Sequence, residues 1–419
     1  MSAAAGREGR VVVQKYGGTS VATAERILAI ADRIGRNLGR TPRLVVVLSA
    51  MGSTTDELVG LAHQVSDRPA GREMDLLLST GEQVTVSLLG LALQNRGIPA
   101  ISLTALQCGI RTDGVFNVAR IRSIDTARIR AELDAGRVVI VTGFQGINDA
   151  DDVTTLGRGG SDITGAALAA ALGAGACEIC TDVDGVFSAD PSRVPGARLW
   201  AEISYEEAIE MASSGAKVLH PRAAEVCMEY DVPIHVRSSF HLREGTWIRG
   251  AASIMERAEV VAVTGDAKIA KFTLLDVPDE PGMAARVFQD LAAGGINVRL
   301  IIQSASSAHQ GRITFILDKE FVAGAQELAR SWEAGGVTSG CVVEDDVAKI
   351  SIVGSRLAAT PGLAARMFAV LARRGINIDC ISSSEMKVAC VISADRLDEA
   401  TAAVHQEFFP QDEAAAATA

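Results

Sequence analysis

Residues 11–38 read VVVQKYGGTSVATAERILAIADRIGRNL: a short β-branched run, a Lys-Tyr-Gly-Gly turn, then a helical pattern over Ala22–Leu38. Leu44–Leu48 opens a second unit of the same kind, continued by a helical pattern at Thr55–Val65. Val138–Thr142 and Glu178–Thr181 supply further runs of strand length. Strands alternating with helices across Gly-rich junctions predict an α/β domain, with an open, largely parallel sheet flanked by helices. Ligands of such folds gather at the C-terminal ends of the strands.

Four junctions carry candidate chemistry. In the first, the strand Val11–Gln14 ends at Lys15, followed by Gly17 and Gly18. Backbone N–H groups freed by glycine at a helix start, with a mobile ammonium beside them, are what a phosphate requires. Nothing in the chain fits the Walker pattern G-x-x-x-x-G-K-[ST], and alone the motif fits an ordinary turn with a solvated charge better. The second, Thr154–Asp162 (TTLGRGGSD), stands before a predicted helix at Thr164–Leu172. Its glycines, Arg158, Ser161 and Asp162 suit a bound anion gripped by a guanidinium, with an acid to orient metal or nucleophile. The plain alternative is a loop in which Asp162 caps the helix. The third, Thr181–Pro191 (TDVDGVFSADP), is a strand end with an acidic loop. It fails the EF-hand pattern for want of the closing Glu and of a preceding helix. The fourth, Ser213–Pro221 (SSGAKVLHP), holds Lys217, with His220 read as structural rather than as a base.

Bulk composition bounds these readings. At 419 residues the chain is long enough for two or three domains. Apolar residues make up 48% and aromatics only 4%, so Ala, Val, Leu and Ile must build the core. A net charge of −11 argues against nucleic acid or an anionic membrane as the partner. Only seven of the 40 basic residues are lysine, and Lys15 and Lys217 are the two in the first 250 positions. The longest nearly apolar stretch, Ile163–Cys177, is too short to span a bilayer. Seven scattered cysteines predict a reducing cytoplasm rather than a disulfide scaffold, and Cys177-x-x-Cys180 reads as buried small hydrophobes.

After Ser238 the composition shifts, and the chain then repeats itself. Pro281–Ser304 and Pro361–Ser384 share 13 identities in 24 positions at an offset of 80, an internal duplication. Each copy is led by a strand (Ala270–Asp276, Lys349–Val353), then Pro-Gly, an Ala-rich helix and a strand opened by Gly-Ile-Asn. The expected plan is a disordered leader at 1–10, the α/β domain at 11–250 and a linker at 251–262. Two α+β domains at 263–345 and 346–409 follow, with a disordered tail at 410–419.

With KYGGTSV, SAMGSTTDEL, LLSTGEQ, TTLGRGGSD, TDVDGVFSADP and GAKVLHPRA in this order, before two PG…GIN repeats, the chain resembles the aspartokinases over about Val11–Phe409. These are amino-acid kinases with C-terminal tandem ACT domains of ferredoxin-like fold. The resemblance implies ATP- and magnesium-dependent phosphorylation of L-aspartate to L-aspartyl 4-phosphate, the first step toward lysine, threonine, methionine and diaminopimelate. It implies that Lys15, Gly17 and Gly18 cradle the ATP phosphates, with Ser49 in the same cleft. Thr181, Asp182, Phe187, Asp190 and Pro191 would shape the adenosine site, and Lys217, with Val218, would reach the transferring phosphate. Arg158, followed by Gly159 and Gly160, would grip the substrate α-carboxylate and Glu82 its ammonium. Ser53, Thr54, Thr55 and Asp56 would close that pocket. Ser161 and Asp162 would stand near the reacting groups, and magnesium would ride on the ATP phosphates without a strong protein-only site. An amino-acid effector, lysine or threonine, would meet Asp279, Gly282, Ala284, Asn297, Val298, Gln303 and Ser306 in the first repeat, and Asn377, Ile378, Ser384 and Glu385 in the second. The resemblance further implies a homo-oligomer through the ACT domains, or α2β2 if Met255-Glu256 marks an internal start.

The chain departs from the family pattern at Ile163, where Thr or Tyr is common, at Arg299, which replaces a frequent acid, and at Ala364, where Thr is frequent. Two other readings compete: a sister kinase acting on another carboxylate, and a catalytically silent ACT-bearing sensor.

Overall fold

The computed structural model describes residues 10–216, 218–251, 258–305 and 310–410. Lys217, Ser306, Met255 and Glu256, with nearly all of the expected leader and tail, lie outside the described residues. The chain forms two compact units. The first holds the chain up to Phe187, Leu199–Ser213 and 218–251, and the second holds Ser188–Arg198, Ser214–Ala216 and 258–410.

The first unit begins β1 (Val12–Tyr16), α1 (Ala24–Asn37), β2 (Leu44–Leu48), α2 (Thr54–Val65), α3 (Gly71–Leu78), α4 (Thr80–Gln94), β3 (Ala100–Leu103), β4 (Ile110–Thr112), β5 (Ile121–Ile124), α5 (Ala127–Asp134). It continues β6 (Val138–Thr142), β7 (Gln145–Ile147), β8 (Val153–Thr155), α6 (Gly160–Leu172), β9 (Ala176–Thr181), β10 (Glu202–Ser204), α7 (Tyr205–Ser213), α8 (Pro221–Glu229), β11 (Ile234–Ser238), β12 (Thr246–Arg249). Eight of these strands make one sheet in the order β10-β12-β11-β9-β1-β2-β6-β3. Its neighbours run parallel except β11 and β12. Every residue of β2 and β6 is buried, as a parallel sheet covered on both faces demands. A smaller sheet, β5-β4-β7-β8, leads into the Thr154–Asp162 loop.

Local differences from the sequence reading have physical causes. The first strand runs to Tyr16, so Lys15 sits inside it, in register with Val47 and Ile179. Helix α6 starts at Gly160 rather than Thr164, taking Ser161 and Asp162 into its first turn. It lies close to β1 because residue 165 is glycine: a Cβ there would stand 3.3 Å from the Lys15 Cβ. Cys177 and Cys180 are wholly buried and unbridged. The helical run Gly71–Gln94 has the length and hydropathy of a bilayer span, yet it is half buried in this unit and α4 packs on β3 and β6.

The second unit contains β13 (Ala262–Asp266), β14 (Ile269–Pro278), α9 (Met283–Ala293), β15 (Val298–Ala305), β16 (Gln310–Asp318), α10 (Val322–Ala334), β17 (Gly340–Glu344). It ends with β18 (Val347–Val353), α11 (Leu363–Arg373), β19 (Cys380–Ser383), β20 (Lys387–Ser393), α12 (Leu397–Phe408). Two four-stranded sheets result, β15-β16-β14-β17 and β13-β18-β20-β19. Phe272, Phe315 and Trp332 centre the first core, and Ile350, Ile352, Met367 and Val404 the second. Strand β13, which the sequence order assigns to the first repeat, pairs antiparallel with β18 in the sheet of the second. The free edge of β18 explains the exchange, since an unpaired edge strand leaves its backbone groups unsatisfied. In the first sheet the equivalent edge, beside β14, is taken by β17.

The departure at position 299 is accounted for by this arrangement. The Arg299 guanidinium pairs with Asp266 on β13 at 2.5 Å and with Asp318 at the end of β16 at 2.6 Å, tying one sheet to the other. Restoring an acid, Arg299→Glu, would set three carboxylates together. The expected loss is about 1–3 kcal/mol in the second unit, read as a lowered thermal midpoint and faster proteolysis within 258–410. An unchanged midpoint would refute the clamp.

Candidate active site

The C-terminal ends of β1, β2 and β9 and the N-terminus of α6 converge in the first unit. Lys15, near the end of β1, pairs with Asp162 in the first turn of α6, Nζ to Oδ1 2.6 Å, each side chain 12% exposed. The other Asp162 oxygen accepts the His220 backbone N–H at 3.3 Å. Gly159, at φ +70°, lies against the His220 ring, and a Cβ there would come within 2.3 Å of it. Both the left-handed backbone and the close approach exclude any larger residue. His220 therefore belongs to the site as a wall. Its Nδ1 is buried without a partner among the described residues, and burial holds its pKa below the ordinary histidine value. Two residues on, Arg222 donates to the carbonyls of Leu156 at 3.1 Å and Ala119 at 3.3 Å, bracing the Gly-rich loop.

Beside β2 a second polar centre forms. Gly18 and Gly52 are joined by a backbone hydrogen bond, and Ser49 N–H donates to the Tyr16 carbonyl. These bonds hold the two strand-end turns together. Glu82, on α4, is 2% exposed. Its Oε1 accepts the Ala50 N–H at 3.1 Å, while Oε2 has no partner among the described residues. Burial pushes this carboxyl up to about 7. A buried carboxylate oxygen without a donor is poised for a cation from outside the chain. Ser53 precedes α2, its hydroxyl donating to Glu57 at 2.5 Å, with Thr54, Thr55 and Asp56 in the first turn.

Sequence reasoning overlooked Asp75. This α3 carboxylate is fully buried and accepts the N–H of Asn117 at 2.9 Å, the N–H of Thr155 at 2.8 Å and the Thr155 hydroxyl at 2.7 Å. It thereby fixes the start of the Gly-rich loop. Desolvation nevertheless raises its pKa, outweighing those bonds. Ile163 joins Ala119 and Leu156 in a small apolar cluster, so the departure there fills a core position.

Lys15, Gly17, Gly18, Ser49, Ser53–Asp56, Glu82, Arg158–Asp162, Thr181, Asp182, Phe187 and Val218 all belong to this unit. Asp190 and Pro191 belong to the second unit, as do Asp279, Gly282, Ala284, Asn297, Val298, Gln303, Asn377, Ile378, Ser384 and Glu385. Among the described residues no three His, Cys, Asp or Glu side chains converge as a metal cage.

A family model described as the amino acid kinase family matches residues 10–238, and two described as ACT domains match 272–334 and 350–408. The chain is 46% identical over 402 residues to an aspartokinase of Thermus thermophilus, covering 95% of this chain and 98% of the relative. E. coli aspartokinase III, solved with aspartate and ADP in its R-state, is 27% identical at a TM-score of 0.81 and is covered in full by 96% of this chain. The same enzyme with lysine and aspartate in the T-state is 26% identical at a TM-score of 0.72, over 95% of this chain and 99% of that one.

The raised Glu82 carboxyl has a measurable consequence. Because the folded state holds this proton more tightly than the unfolded state, stability falls as pH climbs from about 4.5 to about 7 and stays lower above. Glu82→Gln should therefore raise the thermal midpoint of the ligand-free protein by a few degrees at pH 8, and by much less at pH 5. Equal midpoints at pH 8 would contradict the burial cost.

Proposed function

The chain belongs to the aspartokinase family and phosphorylates aspartate, and we propose that ATP is the donor and that Lys15, Glu82 and Asp162 serve the transfer. The observation that carries this reading is the shielded Lys15–Asp162 pair at the strand end. A β-carboxylate oxygen forms a bond to the γ-phosphorus, the bond from that phosphorus to the β,γ-bridging oxygen breaks, and ADP leaves with the electron pair. The carboxylate is ionised already, so no general base is required. What the protein must supply is alignment and relief of repulsion between two anions.

Lys15, with the amides of Gly17 and Gly18, supplies positive potential to the phosphates, and Lys217 is assigned to the transferring group. Arg158 takes the α-carboxylate as a fork. The unpartnered Glu82 oxygen takes the α-ammonium, whose charge would hold the carboxyl ionised at neutral pH. Magnesium favours oxygen ligands and usually rests on substrate phosphates with one or two carboxylates. Asp162 is the carboxylate that fits, and the metal would neutralise phosphate charge there. Asp190 and Pro191, with Thr181, Asp182 and Phe187, are assigned to adenosine.

The ACT repeats point to regulation by an amino acid, and lysine is favoured by the T-state complex of the E. coli enzyme. Gly282 and Gly362 open α9 and α11 at φ +103° and +92°, the left-handed turn that glycine adopts freely, in both repeats. The edge strands β15 and β19 offer surfaces on which a second copy can pair. Seven unbridged cysteines favour the cytoplasm, and the product suits the first step toward lysine, threonine and methionine.

A hydroxamate assay, in which hydroxylamine traps the acyl phosphate, tests these roles. Lys15→Ala and Lys217→Ala should each lower kcat at least about a hundredfold with an unchanged far-UV spectrum, and the two Lys→Arg variants should fail similarly. Arg158→Ala should raise the KM for aspartate roughly ten- to a hundredfold and leave that for ATP alone. Wild-type turnover in Lys15→Ala would sink the assignment.

A further inference from the structure

The motif Thr181–Pro191 is divided between the two units: it stays with the first through Phe187, and Ser188–Arg198 belongs to the second. Ser188 is wholly buried and anchored at every polar atom. Its N–H donates to the Arg198 carbonyl at 2.8 Å, and its own carbonyl accepts the Val263 N–H of β13 at 2.7 Å. Its hydroxyl oxygen accepts the Arg198 N–H at 2.8 Å and lies 2.8 Å from Nε2 of His405, on α12. Either the serine hydroxyl or the ring N–H can donate across that contact. The His405 ring is 3% exposed and stacks on Phe409 with centroids 4.7 Å apart. Further along the loop, Arg193 pairs with Asp398, also on α12, at 2.6 Å.

The segment leading to Lys217 is held by the same elements. Gly215, at φ +118°, lies so close to β13 that a Cβ would stand 2.8 Å from the Gly265 carbonyl oxygen. Gly265 in turn is covered by Leu397 of α12, 3.1 Å from where its Cβ would be. One strand and one helix of the second repeat thus grip the loop bearing Asp190 and Pro191 and the three residues before Lys217.

We propose that His405 is a positioning residue for the nucleotide: through Ser188 it fixes the loop of Asp190 and Pro191, so that α12 sets nucleotide affinity while leaving aspartate affinity alone. The inference rests on the assignment of that loop to adenosine. A contact serving stability alone would lower the melting midpoint without separating the two substrates.

The experiment measures ADP affinity by calorimetry and both KM values on the full chain. His405→Ala should weaken ADP and raise the KM for ATP roughly tenfold, the scale of one lost buried hydrogen bond, with the aspartate KM unchanged. His405→Gln, whose amide can meet the serine hydroxyl, should recover most of the loss. Ser188→Ala, which also removes the acceptor of the Arg198 N–H, should weaken ADP at least as much as His405→Ala, and the double variant should be no worse than Ser188→Ala, since the serine change already removes the shared contact. An unaltered ATP KM, an equal rise in both KM values, or a His405→Gln protein as impaired as His405→Ala would overturn the proposal. If His405→Ala does not fold, Ser188→Ala decides by the same readings. Asp190→Ala separates the two levels: no change in its ADP affinity refutes the loop assignment itself, whereas weakened ADP there beside normal His405→Ala refutes positioning alone.

Discussion

An ammonium shielded from water needs a counter-charge, and an enzyme joining two anions needs that ammonium available to a third. The Lys15–Asp162 pair meets the first demand, and the role proposed for Lys15 at the phosphates would meet the second. Replacing such a pair with apolar side chains is often neutral or stabilising, so stability does not explain why it is there. Its geometry follows from the fold: β1 brings Lys15 to the strand end, and Gly165 lets α6 come close enough to present Asp162. The His220 amide then holds the second carboxylate oxygen, and Gly159 seats the His220 ring. Each member of the set depends on another element, so the site is a property of the whole unit.

The two buried carboxylates show how environment divides like groups. Asp75 is surrounded by donors from the protein and works as a structural tie for the loop that begins at Thr155. Glu82 has one backbone donor and one unsatisfied oxygen. A native core rarely leaves such a group without a partner, and this supports the proposed assignment of Glu82 to a ligand cation. Burial raises its carboxyl to about 7, so below that pH a proton neutralises the buried group.

Much of this was readable from residues 11–38 and the motifs that follow them. Apolar runs of strand length, Gly-rich junctions and the offset of 80 between the two repeats are local signals, and local signals survive in a linear text. The partners of Asp75 are not local: Asn117 and Thr155 lie 42 and 80 positions away, and nothing near Asp75 announces them. The exchange of β13 was hidden for the same reason, since sequence order suggests adjacency whereas edge pairing decides it. Arg299 looked like damage to an effector site until its two carboxylate partners came from opposite sheets. His220 looked structural, and it is, but its structural task is performed inside the site.

The bias toward arginine now has a physical reading. Arg222 holds two carbonyls and Arg299 two carboxylates. Such groups are fixed at both ends, the use that suits a rigid planar fork. Lys15 is held by one carboxylate, and its ammonium carries three donors in rotating positions. Gly17 stands close by, where a Cβ would lie 3.3 Å from Nζ, so residue 17 puts no side chain beside the ammonium. A group that must keep its counter-ion while a phosphoryl group arrives, moves and departs has to change partners without changing place. Lysine can do so, and a chain that writes 33 of its 40 basic residues as arginine keeps lysine at this strand end.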